Sequence, residues 1–149
     1  MSRVSAMKRM AIRCKLLGWI DNDLSSLHAY CQKVADAVGI AIPLNYYPII
    51  GADAFRTSTG VHASALVKAA RKGERWLIDS VYSGVPAAWF GREQMIEVGP
   101  MSGESNVVYW LKKRGFEPKK EDVAAILKKA KSTDHVLSED EVLAILRSR

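Results

Sequence analysis

Three histidines, two cysteines and a tyrosine beside a Gly/Pro turn are the side chains of this 149-residue sequence from which chemistry could be built. Imidazole is the side chain whose ordinary pKa lets it take up and release protons near neutral pH. His62 has the most informative surroundings of the three. It closes the stretch GADAFRTSTGVH, Gly51 to His62, where Thr59-Gly60 lead into Ala63, Leu66, Val67 and Ala70 at helical spacing down to Gly73. The spacing puts His62 on the first turn of a helix. Unpaired N–H groups and the positive end of the helix dipole disfavour an imidazolium there, so the position favours a neutral ring able to accept a proton. A capping or packing histidine is the competing reading and, on these residues alone, the favoured one. His28 lies beside an apolar helical stripe and reads as partly exposed, His135 falls in a loop and reads as surface, and Tyr82 could simply pack. Cys14 and Cys31 both fall on apolar faces of expected helices, which predicts buried free thiols. No CxxC or Cys/His cluster offers a structural zinc site.

The elements that must position these side chains are mostly helices. Met7, Met10, Ala11, Cys14 and Leu17 make one apolar stripe that ends at Gly18, a residue suited to the left-handed position after a helix. Asp21 to Asp23 are expected to supply N-cap oxygens for a second helix burying Leu24, Leu27, Cys31, Val34 and Val38 before Gly39. From Ile40 to Tyr47 the period disappears, and Pro43 and Pro48 predict an extended connection. After the His62 helix comes a helical piece from Glu74 to Val81, then a turn at 82–86, then Ala87 to Gly91 with Trp89 and Phe90 as two large apolar anchors. Gln94 to Val98 is the best strand candidate. Pro100-Met101-Ser102-Gly103 opens a helix with Val107, Val108 and Leu111 inside and Tyr109 and Trp110 alongside, stopping at Gly115. A stripe of Val123, Ile126, Leu127 and Ala130 follows Pro118. The last helix carries a capping box, Ser138 to Glu141, with Leu137 and Val142 as its hydrophobic staple. The fold class is thus mainly α, in small helical subdomains with one or two short β-strands and no TIM barrel, since an eight-stranded barrel needs at least about 200 residues. We divide the chain into 1–50, 51–115 and 116–149.

Composition narrows the function classes. A chain of this length can bury roughly 70% of the surface it exposes when unfolded, enough for a core. No apolar run approaches the roughly 20 residues of a membrane helix, and the N-terminus carries no signal-peptide pattern, so a cytoplasmic location is expected. The net charge of +6 is uneven: Arg3, Lys8, Arg9, Arg13 and Lys15 stand without an acid in the first twenty residues, and eight more cations crowd Lys112 to Lys131. Such fields attract polyanions. No helix-turn-helix, RNP strand or zinc finger accompanies the charge, which argues against nucleic acid as a partner.

Three stretches in order, GADAFRTSTGVHASALVKA, VYSGVPAAWFG and IEVGPMSGESNVVYWLKKRG, resemble the region that follows the barrel in 2-isopropylmalate synthases and their homocitrate and citramalate synthase relatives. The N-terminal KLLGWIDNDLSSLHAYCQKVADAVGI is similar to the end of the last barrel helix and the helix after it. The resemblance covers roughly residues 6 to 115. It implies a Claisen-type condensation of acetyl-CoA with a 2-oxo acid polarised by a divalent metal, as in leucine biosynthesis. It also implies that His62, matching the histidine of the family's [ST]-G-[IV]-H motif, reaches over an active site, often that of a neighbouring subunit. Tyr82, twenty positions later, matches the tyrosine thought to work with it. The family often carries an acid two residues after the histidine, where this chain has Ser64. The family's metal-binding H-x-H pair and R-D-G segment are absent from this sequence.

Two expectations follow. In the first, the chain is the accessory post-barrel portion of such an acyltransferase, contributing His62 and Tyr82 to an active site completed by a barrel. It holds no cofactor of its own, metal and acetyl-CoA come only with the barrel partner, and the chain alone is inactive. In the second, it is a non-catalytic dimerisation or interaction module derived from that family, with Trp89, Phe90 and Trp110 serving association. A homodimer is expected in either case.

Overall fold

Local stop signals decide where the helices end. In the computed structural model, which describes residues 3–42, 49–81 and 83–148 (side chains of 3–9 and 75 excepted), helix α1 spans Arg3–Leu16 and α2 spans Leu27–Val38. Gly18 and Gly39 follow them in the left-handed conformation, at φ 70° and 65°. The start of α2 differs from the expected one. Asp23 is spent on an Asx turn, accepting from the backbone N–H and the hydroxyl of Ser25 at 2.8 and 3.0 Å, so the helix begins only after Ser26, which makes no side-chain cap bond. The Asp23 carboxyl is held below its ordinary range by that same pair of bonds. The α2 face is also shorter than expected: Cys31 is buried, while Val38 at the last turn is 58% exposed. The connection expected over Ile40–Tyr47 lies, from residue 43 on, outside the described residues.

Strand β1 (Arg56–Thr57) and β2 (Met95–Ile96) pair in parallel, Arg56 opposite Met95 and Thr57 opposite Ile96. Between them in sequence stand α3 (Gly60–Arg71), α4 (Arg75–Ser80) and a 3-10 turn, Ala87–Phe90. Phe90 is fully buried. Trp89 is 42% exposed, so the turn has one apolar anchor rather than two. Gly91 closes the turn at φ 65°, with its α-carbon against the carbonyl of Ser25. The chain continues through α5 (Glu104–Lys113), α6 (Lys120–Lys131) and α7 (Glu139–Arg147).

Among the described residues three clusters hold these elements. Ile12, Cys31, Ile49, Ile50, Phe55, Ala87 and Phe90 join α1 and α2 to the loop before β1. Ala63, Leu66 and Ile96 lie between α3 and β2. The third cluster packs Val98, Val107, Trp110 and Leu111 against Val123, Ile126, Ala130, Leu137 and Val142. Trp110, 1% exposed, is central to it and not alongside it. The apolar face of α5 is 107, 110 and 111, turned by one position from the expected stripe. Burying a side chain of this class contributes about 1.5–3 kcal/mol. Phe90 and Trp110 are therefore core residues and unavailable for association. Arg114 lies over the Trp110 ring at 3.8 Å and pairs with Glu139 at 3.1 Å, tying α5 to α7.

Helix ends at the third cluster behave as the local signals require. Ser138 Oγ accepts from the Glu141 N–H at 3.2 Å, Glu141 Oε2 accepts from the Ser138 N–H at 2.8 Å, and Leu137 and Val142 are both buried. At α5 the N-cap is Gly103, which has no side chain to offer. Its N–H instead donates to Asn106 Oδ1 at 3.1 Å, and Asn106 Nδ2 donates to the Glu97 carbonyl at 2.9 Å, so this fully buried amide satisfies both ends of a turn. Among the described residues no helix is long and apolar enough to cross a membrane.

Candidate functional site

The segment that delivers His62 is fixed at its entry, its middle and its end. At the entry, Ile49 sits at φ 70°, a left-handed conformation that strains a β-branched residue. Arg92 donates to the Ile49 carbonyl at 3.1 Å and lies 5.7 Å from the centre of the Phe55 ring, which helps keep Ile49 in place. Arg92 Nη1 is also 3.4 Å from His28 Nδ1. Partial burial, and then the Arg92 charge, push the His28 pKa down.

In the middle, Arg56 bridges two carboxylates. It donates to Asp53 at 2.6 Å within its own loop and to Glu97 at 3.1 Å across the two-stranded sheet. Glu97 is buried, so pairing it is what makes its burial tolerable. The Arg56 pKa is raised: burial opposes this, and the Asp53 and Glu97 pairings override it. Met95 N–H to Phe55 carbonyl and Glu97 N–H to Thr57 carbonyl, both 2.8 Å, complete the junction.

At the end, Thr59 is the N-cap of α3 and His62 stands on its first turn, half-buried, as the spacing predicts. The first turn of α3 meets the first turn of α5. The Gly60 N–H donates to the Met101 carbonyl at 2.9 Å, and a Cβ placed on Gly60 would lie 3.0 Å from the Gly103 nitrogen. Ser64, at the position where the family often has an acid, donates its hydroxyl to Ser105 at 3.1 Å. An open groove of about 620 Å³ runs between the two turns, with Val61, Ser64 and Lys68 on one wall and Met101, Glu104 and Ser105 on the other. Val61 and Met101 are exposed at its rim.

Tyr82 lies outside the described residues. The turn after it is described, with Ser83 donating its hydroxyl to the Val85 carbonyl at 2.6 Å. His28 is part-exposed as expected. His135 is exposed but not idle: its two ring nitrogens each approach a carboxylate, Asp134 Oδ1 and Glu141 Oε1, both at 3.1 Å. Those bonds raise its pKa, Asp134 contributing most. Cys14 and Cys31 are free thiols, Cys31 buried and Cys14 partly so. Part of the second basic zone is locally paired, Lys113 with Glu93 at 2.8 Å and Arg114 with Glu139. Arg56, Asp53, Glu97 and Arg92 are the positioning groups that sequence reasoning did not single out. Their only sequence signal is charge inside otherwise apolar or Gly-rich stretches.

Among the described residues no three His, Cys, Asp or Glu side chains gather around a point that could hold a metal ion. Among those residues, the donors form no set that fits the divalent metal implied by the resemblance. What the arrangement offers is one half-buried imidazole on a braced helix start, whose neighbours Val61 and Ser64 line an open groove.

No family model matches the chain. It is similar to the homocitrate synthase of Pyrococcus horikoshii, 33% identical over 124 residues that make up 83% of this chain and 31% of that protein. It is similar also to the (R)-citramalate synthase of Aquifex aeolicus, 30% identical over 114 residues, 75% of this chain and 20% of that protein. With the homocitrate synthase AksA of Methanopyrus kandleri it shares 28% identity over 130 residues, 86% of this chain and 30% of that protein. The chain thus spans less than a third of the length of these relatives.

Proposed function

We propose that this chain, a homologue of part of the homocitrate and citramalate synthases, is the accessory C-terminal portion of an acetyl-CoA:2-oxo acid condensing enzyme of the 2-isopropylmalate synthase type. The observation that carries the reading is the bracing of the His62 helix start from three sides, within a match that covers most of this chain and under a third of the relatives. On this reading His62 works on an active site completed by a metal-binding barrel supplied by another chain or a longer polypeptide. Its imidazole would take a proton from the acetyl methyl or from the water that hydrolyses the thioester, with Tyr82 donating to the developing oxyanion. A well-placed base of this kind is worth about 10²–10⁴-fold. Divalent metal and acetyl-CoA belong to the barrel side, and no step is assigned to the metal through residues of this chain.

A non-catalytic dimerisation module is the second reading. The exposed Met10 on α1, the exposed Leu17 and Trp19 just after it, and Trp89 lining a cleft with Lys15, Gly18 and Ile20 favour it.

The test separates the two. The purified chain is mixed with a relative's synthase truncated before the matched region, and release of free CoA thiol is measured with acetyl-CoA and a panel of 2-oxo acids. We expect no turnover from either piece alone and turnover from the mixture. A chain that forms a stable dimer and never restores thiol release would refute the first reading in favour of the second.

A further inference from the structure

We propose that the Met101–Asn106 turn is the positioning element of the His62 helix, and that Ser102 is its positioning residue. The proposal rests on the reading of His62 as a working base and names what holds it.

The first turn of an α-helix leaves N–H groups that its N-cap side chain ordinarily engages. Thr59 has the right side chain and the extended backbone of a cap, at φ −79° and ψ 129°, yet makes no side-chain cap bond. The Thr59 side chain therefore does not hold the His62 turn, and bonds from across the fold, from residues more than 40 positions later, bear on it. Ser102 is 3% exposed, and its hydroxyl accepts from the Gly99 N–H at 2.9 Å while donating to the Ser58 carbonyl at 2.6 Å. A hydroxyl has one proton to give. The Glu97 carbonyl at 3.4 Å is the poorer acceptor, so the proton goes to Ser58, four residues before His62. Next along the turn, the Met101 carbonyl takes the Gly60 N–H that would otherwise be an orphan of the helix start. The Gly60–Gly103 approach is too close to admit a side chain at Gly60 without a shift, and the Ser64–Ser105 bond adds a second tie between the two turns. Asn106 fixes the turn itself to the Glu97 carbonyl. The Glu97 side chain in turn receives Arg56, so both ends of the Arg56–Gly60 segment are referred to Glu97.

The test is hydrogen exchange and histidine ring NMR on the full chain. Ser102→Ala is expected to speed exchange of the Gly60 amide at least tenfold and to shift the His62 ring resonances. Ser102→Thr, which keeps the hydroxyl, holds both near wild type. Ser138→Ala weakens the fold at a distant cap by about 1 kcal/mol, which speeds exchange of a globally protected amide by about fivefold at most and leaves the His62 ring where it was. Ser105→Ala removes a half-buried bond and no buried one, so it folds even where Ser102→Ala does not. It shifts the His62 ring with a smaller loss of protection. If neither Ser102→Ala nor Ser105→Ala moves the Gly60 amide or the His62 ring beyond the Ser138→Ala control, the proposal is overturned. In the barrel-complemented reaction Ser102→Ala should lower kcat more than tenfold at little cost in KM, with recovery in Ser102→Thr. A His62 ring that follows Ser102 in a mixture without turnover supports the positioning and removes the catalytic reading. Turnover indifferent to Ser102→Ala removes the positioning.

Discussion

Replacing Asn106 by Asp changes one NH₂ group for one oxygen, and the structure says what that costs. The amide is fully buried at the third helical position of α5, accepts from Gly103 N–H at 3.1 Å and donates to the Glu97 carbonyl at 2.9 Å. An ionised Asp keeps the first bond and turns the second into a carboxylate facing a carbonyl oxygen. An uncompensated buried charge costs about 3–5 kcal/mol. The helix N-terminus returns up to about 2 kcal/mol to an anion there. With the helix N-terminus returning its full share, the balance is a loss of about 1–3 kcal/mol at pH 7. With a urea slope near 2 kcal/mol per molar, the unfolding midpoint falls by about 0.5–1.5 M. A protonated Asp recovers the lost bond, because its O–H can donate to the Glu97 carbonyl. The folded-state pKa of this Asp must then lie above its unfolded value, so the folded form binds the extra proton and the penalty shrinks as pH falls through that raised pKa. Urea unfolding of wild type and Asn106→Asp at pH 7 and pH 4 measures both effects. A difference under 1 kcal/mol at pH 7, or one equally large at both pH values, would refute the reasoning.

Three further outcomes are expected. Ser138→Ala, which removes the α7 cap, should cost about 1 kcal/mol and lower Tm by about 2–4 °C in a thermal scan. Gly91→Ala forces a left-handed conformation worth about 1–2 kcal/mol and drives a Cβ into the Ser25 carbonyl, at a further 1–3 kcal/mol or so, making it clearly worse than Ser138→Ala in urea unfolding. In an NMR titration His28 should titrate below 6.5 and His135 above it, and Arg92→Gln should bring His28 back up. The signs for stability are opposite. His28 favours the fold at higher pH, an effect lost as pH falls through 6.5 towards its lowered pKa. The His135 contribution is complete below 6.5 and is lost as pH rises through its raised pKa.

What could be read from the chain depended on how far each determinant lies from the residue it governs. The Leu137–Val142 staple and the Ser138–Glu141 box are complete within six residues, and the structure reproduces them. The helical spacing after Gly60 likewise placed His62 on a first turn. The start of α2 was misplaced because one carboxylate, Asp23, has two local uses, and the Ser25 turn won over the helix cap. The place of Trp110 in the core is not legible locally, because neighbouring apolar residues admit two helical faces and the packing of α6 and α7 decides between them. The β1 partner of the expected strand is two residues long, and nothing in Arg56-Thr57 itself announces a pairing that lies 39 positions away in Met95 and Ile96. At the site the imidazole was visible and its bracing was not. Hydrogen bonds from Ser102 to Ser58, and from Arg56 to Glu97, have no period in sequence.

The most direct measurement is the rate of CoA thiol release by the chain mixed with a relative's barrel portion, compared between wild type and His62→Ala at equal folded concentration. A fall of about 10²–10⁴-fold, the worth of a positioned general base, is expected with the complex still formed. A mixture that turns over equally well without the His62 imidazole would contradict it.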